Sequence, residues 1–393
     1  MSQHLAGLEA SRPHVDSAMP NEVVVGEVHH NEQMKKSFNI WSAAGLPCLS
    51  TPTLVGCTFS FLLCLSLAEI AAVYPSASGQ IYWTAVFSNN KHARSLSYYT
   101  GWMLCSGWFL WVGGTNLLAA QILSAIVTAF YPSFSASSWQ IYLLVAAFTL
   151  VNWILNVPLF NFYPHFSKAM LYWFNLGALF IFVSLLARAH PKQSAHDVFV
   201  SMINATGWDS NVVVFFIGLV PGVGFVSGFD CVTHMADEVP DPHRVVPLVM
   251  VGASAISFLA GLPMLFTYTF CNTKPQNLLT PIGNNPIVQL YLDAYDSKAL
   301  TVTATAILLV GEIAAAAACL CAAGRSWWAF AEHQGTPFPK FFGRVNKRYS
   351  IPVNAITFLA VLTVLISAIS HRVYYCSERH SWRRITVRLY ILF

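Results

Sequence analysis

The sequence predicts an all-α fold, a polytopic bundle of membrane-spanning helices, from its charge content and its apolar runs. Of the 393 residues, 55 % are hydrophobic and only 10 % are Asp, Glu, Lys or Arg, whereas soluble domains carry about 25 % charged residues. Apolar runs of spanning length recur between Thr53 and Ser370 with short gaps. Helices are expected because these runs are continuous, whereas strands of a membrane barrel alternate over about 10 residues.

Eight segments are long and apolar enough to cross a bilayer, since a spanning helix needs about 20 residues. In chain order they are residues 53–73, 100–129, 139–160, 167–187, 212–234, 245–270, 300–323 and 352–370. The loops between them are too short for a separate water-soluble domain. We therefore expect a multi-pass membrane protein with the lipid bilayer as its surroundings.

The charge pattern predicts membrane orientation and excludes nucleic acid as an expected partner. The net charge is only +4 and is spread over many loops, as the positive-inside rule describes. Lys91 and Arg94 place their loop on the cytoplasmic side. Residues 1–37 contain several acidic residues and no apolar signal-peptide core, so we expect a disordered cytoplasmic tail.

One span contains helix-breaking residues, between Gly218 and Asp230. Pro221 lacks an amide hydrogen and the glycines lower helix stability, so we expect a break between Gly222 and Gly228. Unwound backbone at membrane depth has to line a cavity or be covered by protein. The predicted substrate-binding residues are Gly222, Val223, Gly224, Gly228, Phe229 and Asp230. Helix packing through a GxxxG pair at Gly224 and Gly228 is the alternative.

Ionisable groups inside the spans are Glu69, Asp230 and Glu312, and each is costly at membrane depth. Glu312 lies deepest and is flanked by small residues, so it is the candidate for proton coupling. A neutral carboxyl held by a buried hydrogen bond is the alternative for Glu312. Glu69 and Asp230 lie nearer the ends of their spans, where an ion pair or a helix-packing hydrogen bond is expected.

No catalytic motif is present in the sequence: HExxH, GxSxG and the Walker A pattern are all missing. No enzyme activity and no cofactor are therefore expected. The loop that contains His234, Asp237, Glu238, Asp241 and His243 has metal-ligand residue types, but solvated, helix-capping carboxylates are the preferred interpretation. No metal site is predicted, and the nine cysteines are interpreted as small core residues.

Three long motifs resemble the fungal amino acid, GABA and choline permeases of the amino acid-polyamine-organocation superfamily. They are residues 66–83 (SLAEIAAVYPSASGQIYW), residues 228–247 (beginning GFD and continuing THMADEVPDPHRVVP) and residues 325–354 (beginning RSWWAFA). The resemblance implies twelve helices, ten of them in two inverted five-helix repeats, with helices 1 and 6 broken around the substrate. The eight spans then correspond to family helices 2 to 9.

The two ends of the chain depart from the family pattern. Residues 38–46 resemble the start of family helix 1, yet the second-helix motif follows at Leu65, which leaves too few residues for two spans. We expect that most of helix 1 and all of helices 10 to 12 are missing. The chain is then divided into an incomplete permease domain at 38–370 and an atypical basic tail at 371–393.

The function that the resemblance implies is secondary active transport of a small amino compound, namely an amino acid, GABA or choline, coupled to protons. The alternative is a truncated permease that cannot transport and acts as a membrane or interaction protein, in which case the chain expressed alone shows no uptake. A polytopic membrane enzyme ranks third because the sequence contains no motif for a nucleophile or a metal.

Overall fold

The computed structural model describes residues 50–199, 208 and 210–380. The regular secondary structure in this part of the chain is helical apart from one isolated antiparallel bridge between Asn346 and Ile351. The expected tail at 1–37, the start of family helix 1 at 38–46 and the last thirteen residues lie outside the described residues. The all-α prediction is confirmed for the part of the chain that is described.

Twelve α-helices are present in the described residues. They are α1 (Ser50–Val73), α2 (Gln80–Phe87), α3 (Ala93–Phe130), α4 (Ser138–Asn156), α5 (Tyr163–Arg188), α6 (Ala195–Phe199), α7 (Asn211–Phe225), α8 (Pro242–Phe270), α9 (Pro286–Tyr295), α10 (Lys298–Glu332), α11 (Pro339–Phe342) and α12 (Val353–His380). Short 3₁₀ helices occupy Phe160–Phe162, Pro275–Leu279 and Ile282–Asn284. A longer one, Phe229–Glu238, is called the 3₁₀ segment below.

Each of the eight predicted spans coincides with a helix. Seven helical stretches in the described residues are long and apolar enough to cross a membrane, and Val353–Ile369 of α12 is a shorter apolar stretch. One of the seven, Val212–Glu238, combines α7 with the 3₁₀ segment. The prediction of a polytopic membrane bundle is therefore confirmed.

Helix α10 lies at the centre of the bundle. In the most apolar 18-residue stretch of α10, 50 % of the residues are buried. The corresponding share is 17 % in α4, α5 and α8. Its buried side chains are mostly small, with an alanine- and cysteine-rich run from Ala314 to Ala323. Small side chains let neighbouring helices approach closely in a membrane, and α10 packs along most of α3.

The long helices other than α5 form two groups, and α5 packs against α8 and α10. In the first, α1 packs against both α7 and α8, and α8 also packs against the 3₁₀ segment. In the second, α3, α4, α10 and α12 pack against one another. We call them the α1 group and the α10 group. The 3₁₀ segment belongs to the first group but also contacts α10, so it lies where the two groups meet.

Three buried asparagines connect helices inside the α10 group. Asn152 donates from Nδ2 to Asn116 Oδ1 at 3.0 Å, and this contact joins α4 to α3. Asn156 donates from Nδ2 to the Ala317 carbonyl at 2.9 Å, which joins α4 to α10. Such interhelical hydrogen bonds in membranes contribute about 0.6 kcal/mol on average, so they orient the helices more than they stabilise them.

Backbone contact between α1 and α7 depends on glycine. A Cβ added at Gly222 would collide with the carbonyl of Thr53, and one added at Gly56 would collide with the carbonyl of Leu219. At the same crossing, Cys57 Sγ donates to the Gly222 carbonyl at 3.2 Å. The two helices can approach this closely only because no side chain separates them.

We predict that Gly222→Ala destabilises the protein by about 1–3 kcal/mol, because the added methyl group forces α1 and α7 apart. The measurement is thermal unfolding of detergent-purified protein. Gly224→Ala is the matched control on the same helix, since a Cβ there meets no atom within 4 Å. Equal melting temperatures for the two variants would contradict the close-packing interpretation.

Candidate functional site

The spanning stretch formed by α7 and the 3₁₀ segment is interrupted at Val226–Gly228. Helix α7 ends at Phe225, Gly228 has a φ of 85° in the left-handed region, and the 3₁₀ segment begins at Phe229. Glycine adopts this conformation without the strain that a Cβ causes. The chain therefore changes direction within the span at the residue type that permits it.

The interruption is shorter than the sequence predicts. The expectation that Pro221 to Gly228 is non-helical is wrong for residues 221–225, because α7 continues through Pro221 and Gly222 to Phe225. A proline costs one backbone hydrogen bond, and the packing of α1 against this stretch holds it helical. The alternative, helix packing through a GxxxG pair at Gly224 and Gly228, finds no contact among the described residues, since a Cβ at either position meets no atom within 4 Å.

Asp230, in the first turn of the 3₁₀ segment, accepts a hydrogen bond from α2. Gln80 Nε2 donates to Asp230 Oδ2 at 2.8 Å. Gln80 is the first residue of α2, and the Asp230 side chain is half-buried. The helix-packing hydrogen bond expected for this carboxylate is therefore present. In the described residues, no Lys, Arg or His forms an ion pair with it.

His234 connects the 3₁₀ segment to α3 and to the loop before α2. Trp108 Nε1 donates to His234 Nε2 at 3.3 Å, and His234 Nδ1 lies 3.1 Å from the Ala77 carbonyl. An indole N–H can only donate and a carbonyl can only accept, so the ring has its proton on Nδ1. Both ring nitrogens are engaged, and the geometry assigns the neutral imidazole to this buried position.

A bidentate ion pair ends the 3₁₀ segment. Arg325 of α10 donates from Nε to Glu238 Oε1 at 2.6 Å and from NH2 to Glu238 Oε2 at 3.0 Å. The Arg325 side chain is 1 % exposed and that of Glu238 is 43 % exposed. The guanidinium also lies 5.2 Å from the centre of the Phe160 ring. The pair joins the α1 group to the α10 group at one end of the bundle.

A small cavity of about 110 Å³ lies beside this ion pair. It is lined by Ala77, His234, Asp237, Glu238, Arg325, Trp328, Val345, Ser350 and Pro352. Elements of both groups therefore surround it, together with the loop that precedes α12. Its lining contains two carboxylates, a guanidinium, an imidazole and an indole.

The predicted site residues separate into four places. Gly228, Phe229 and Asp230 lie at the interruption, whereas Gly222 packs against α1. Val223 and Gly224 are exposed on α7. Glu312 is half-buried on α10, where no described residue pairs with it.

Sequence reasoning missed the contributions of Gln80, Trp108 and Arg325. Gln80 and Arg325 lie within the motifs that carry the family resemblance, and Arg325 is a charged residue within a long helix. A charge in such a helix requires a partner, and that signal was available. Nothing in the sequence selects Trp108 from among its 12 tryptophans.

The residues of the acidic loop are engaged in other contacts. His243 Nδ1 lies 3.0 Å from the Ala72 carbonyl, and Glu238 binds Arg325. Within the described ranges, no group of three or more His, Cys, Asp or Glu residues could hold a metal ion.

Comparison with known proteins identifies similar sequences. The family model described as amino acid permease matches residues 34–376. A Macrophomina phaseolina protein named as an amino acid/polyamine transporter is 28 % identical over 355 residues, which cover 90 % of this chain and 75 % of that protein. The Saccharomyces cerevisiae choline transporter is 28 % identical over 359 residues, which cover 84 % of this chain and 62 % of that transporter.

A second Saccharomyces cerevisiae protein, the GABA-specific permease, is 21 % identical, and the match covers 80 % of this chain and 55 % of the permease. The chain thus spans less than two thirds of the length of both yeast relatives.

We predict that Glu238→Gln destabilises the protein by about 1–3 kcal/mol, because it leaves a buried guanidinium without its counter-charge. Breaking a fully buried ion pair costs more stability than this, but Glu238 is partly exposed and solvent screens its charge. Thermal unfolding measures the effect, and Asp237→Asn is the control at the exposed neighbouring carboxylate. In a double-mutant cycle with Arg325→Met, the stability losses of the two single variants should sum to more than the stability loss of the double variant. Strict additivity would show that the pair contributes nothing.

Proposed function

The chain belongs to the amino acid permease family, and from this membership we propose that it carries small amino compounds across the membrane by secondary active transport coupled to protons. Family membership identifies a multi-pass membrane transporter rather than an enzyme. The observation that carries the proposal is the interrupted span, with its carboxylate, at the boundary between the α1 and α10 groups.

The interruption presents two opposite partial charges. Helix α7 ends there with the carbonyl groups of its last turn, and the ten-residue 3₁₀ segment begins there with the amides of its first turn. The carbonyls of Gly222, Val223 and Gly224 already accept hydrogen bonds within the protein, so the partial charge of the helix end is what a substrate would meet. Carbonyl ends favour an ammonium group and amide ends favour a carboxylate. Broken helices near the bilayer midplane bind substrate in this way in many transporters. A small zwitterion fits these opposite partial charges.

The location of the interruption supports alternating access. The 3₁₀ segment packs with α8 in one group and contacts α10 in the other. A rigid-body movement of one group against the other would open or close the space around a substrate at this boundary. The contacts of His234 and Glu238 with the α10 group would break and reform during that movement.

The compounds in the names of the relatives share one chemical group. The yeast proteins are a choline transporter and a GABA-specific permease, and the Macrophomina protein is named for amino acids and polyamines. Each of these compounds contains a positively charged nitrogen. We therefore propose that this chain recognises an ammonium group, through Asp230 and the carbonyl end of α7.

Proton coupling is assigned to Glu312. It is a half-buried carboxyl in the most enclosed span, and no described residue pairs with it. A carboxylate without a partner is energetically costly at membrane depth, and such residues commonly mark a functional site. A carboxyl that gains and loses a proton as the two groups move would link proton flow to transport.

The alternative, a permease that cannot transport, differs in one observable. A chain that binds amino compounds but shows no saturable uptake in proteoliposomes with a proton gradient would support that alternative. Saturable and competable uptake supports the proposed transport.

We predict that Gly228→Ala lowers uptake at least about tenfold, because a Cβ at a φ of 85° is strained by about 1–2 kcal/mol and shifts the interruption. The measurement is radiolabelled uptake by proteoliposomes containing equal amounts of protein. Gly252→Ala in α8 is the control, since its added Cβ also meets open space but has no positive φ. Unchanged uptake by Gly228→Ala would remove the interruption from the mechanism.

We predict that Glu312→Gln abolishes the pH dependence of uptake, because glutamine cannot exchange a proton. Uptake is measured between pH 5 and 8, with Glu69→Gln as the control at an exposed carboxylate of α1. A pH profile that Glu312→Gln leaves unchanged would refute the coupling assignment without affecting the proposed substrate class.

A further inference from the structure

The Asp230 carboxylate lacks a counter-charge in the part of the chain that the structure describes. The ion pairs there join Arg325 to Glu238 and His196 to Asp197, and neither includes Asp230. Asp230 belongs to the apolar spanning stretch Val212–Glu238. Acidic groups in such stretches pair with a cation or mark a site. The missing cation is one reason to look for a ligand here.

The orientation of the Gln80 amide supplies a second, independent reason. Because Nε2 donates to the Asp230 carboxylate, reversing the amide would place its oxygen against a negative charge. The oxygen Oε1 is therefore fixed, and it is buried without a hydrogen-bond donor among the described residues. A buried acceptor without a donor is unfavourable, because it has lost its hydrogen bond to water and gained none in return.

The neighbouring donors are already engaged. Thr233 Oγ1 donates to the backbone carbonyl of Asp230, and Thr84 Oγ1 donates to the backbone carbonyl of Gln80. Trp108 donates to His234, and the His234 N–H is directed at the Ala77 carbonyl. These contacts leave a negative charge and an amide oxygen side by side, with no donor left over from these side chains.

We propose that Asp230 and Gln80 form a subsite for a primary ammonium group, and that this subsite discriminates against quaternary ammonium. The inference rests on the proposed function and names its substrate class. A primary ammonium supplies a positive charge for Asp230 and N–H donors for both acceptors. A trimethylammonium group supplies the charge but no N–H, so Gln80 Oε1 stays unsatisfied. Asp230 lies two residues after Gly228 and is half-buried rather than enclosed.

This assignment distinguishes the chain from one of its relatives. The yeast choline transporter is named for a quaternary ammonium compound, whereas the Asp230–Gln80 subsite favours glycine, GABA or another primary amine. A site that hydrogen-bonds a substrate N–H rejects analogues without it far more strongly than a site that only fills space.

The test is ligand binding to the full chain in lipid nanodiscs, with ligands that differ only at nitrogen. The pairs are glycine with glycine betaine, GABA with its N-trimethyl analogue, and ethanolamine with choline. We expect each primary amine to bind at least about tenfold more tightly than its trimethyl partner. This comparison uses the unaltered protein and does not depend on whether a variant folds.

Variants then test which side chains cause the preference for the primary amine. Gln80→Met keeps the side-chain length but removes the acceptor, so the preference for the primary amine should fall at least about tenfold, with trimethyl binding unchanged or tighter. Asp230→Asn removes the charge and should weaken both members of each pair. Gln334→Met, an exposed glutamine outside the pair, should leave every ratio unchanged.

The outcomes separate this inference from the proposed function. Equal binding of both members of each pair, as expected if a water molecule satisfies Gln80 Oε1, would overturn the inference and leave the proposed function intact. An unchanged preference in folded Gln80→Met would also overturn it. Binding of neither member by the unaltered chain would overturn the proposed function itself.

Discussion

The interruption at Val226–Gly228 is the constraint on which the rest of the site depends. Backbone groups inside a bilayer have no water to bind, so a spanning chain can leave the helix only where protein or ligand satisfies it. Here α7 ends at Phe225, and a left-handed glycine, Gly228, precedes the 3₁₀ segment that continues the span. The change of direction positions Asp230, His234 and Glu238 toward contacts on other helices.

These contacts share a physical logic. Each joins the 3₁₀ segment to an element outside α1, α7 and α8: Asp230 to α2, His234 to α3 and Glu238 to α10. They are polar and local, whereas α1 and α7 are held by close backbone packing at Gly56 and Gly222. Close backbone packing fixes α1 against α7, and the polar contacts join the α1 group to the elements around it. In the proposed alternating access, these polar contacts are the ones that would break and reform.

Much of the fold was predictable because membrane spans are specified locally. A run of about 20 apolar residues is a helix in a bilayer whatever its neighbours are, and each of the eight predicted segments coincides with a helix. The position of the interruption was less predictable. Pro221 and Gly222 weaken a helix in isolation, but the contact of α1 with this stretch stabilises it, so α7 ends later than propensity alone indicates.

The sequence by itself determined the helices, the membrane environment and the residue types that the proposed ammonium-binding site requires. Only the tertiary structure decided which of these residues meet. Gln80 and Asp230 are 150 positions apart, and Arg325 and Glu238 are 87 apart. Which face a helix directs to its neighbours is set by packing in three dimensions, and a uniformly apolar span has too weak a polar face to reveal it. The pairings therefore follow from the assembled bundle.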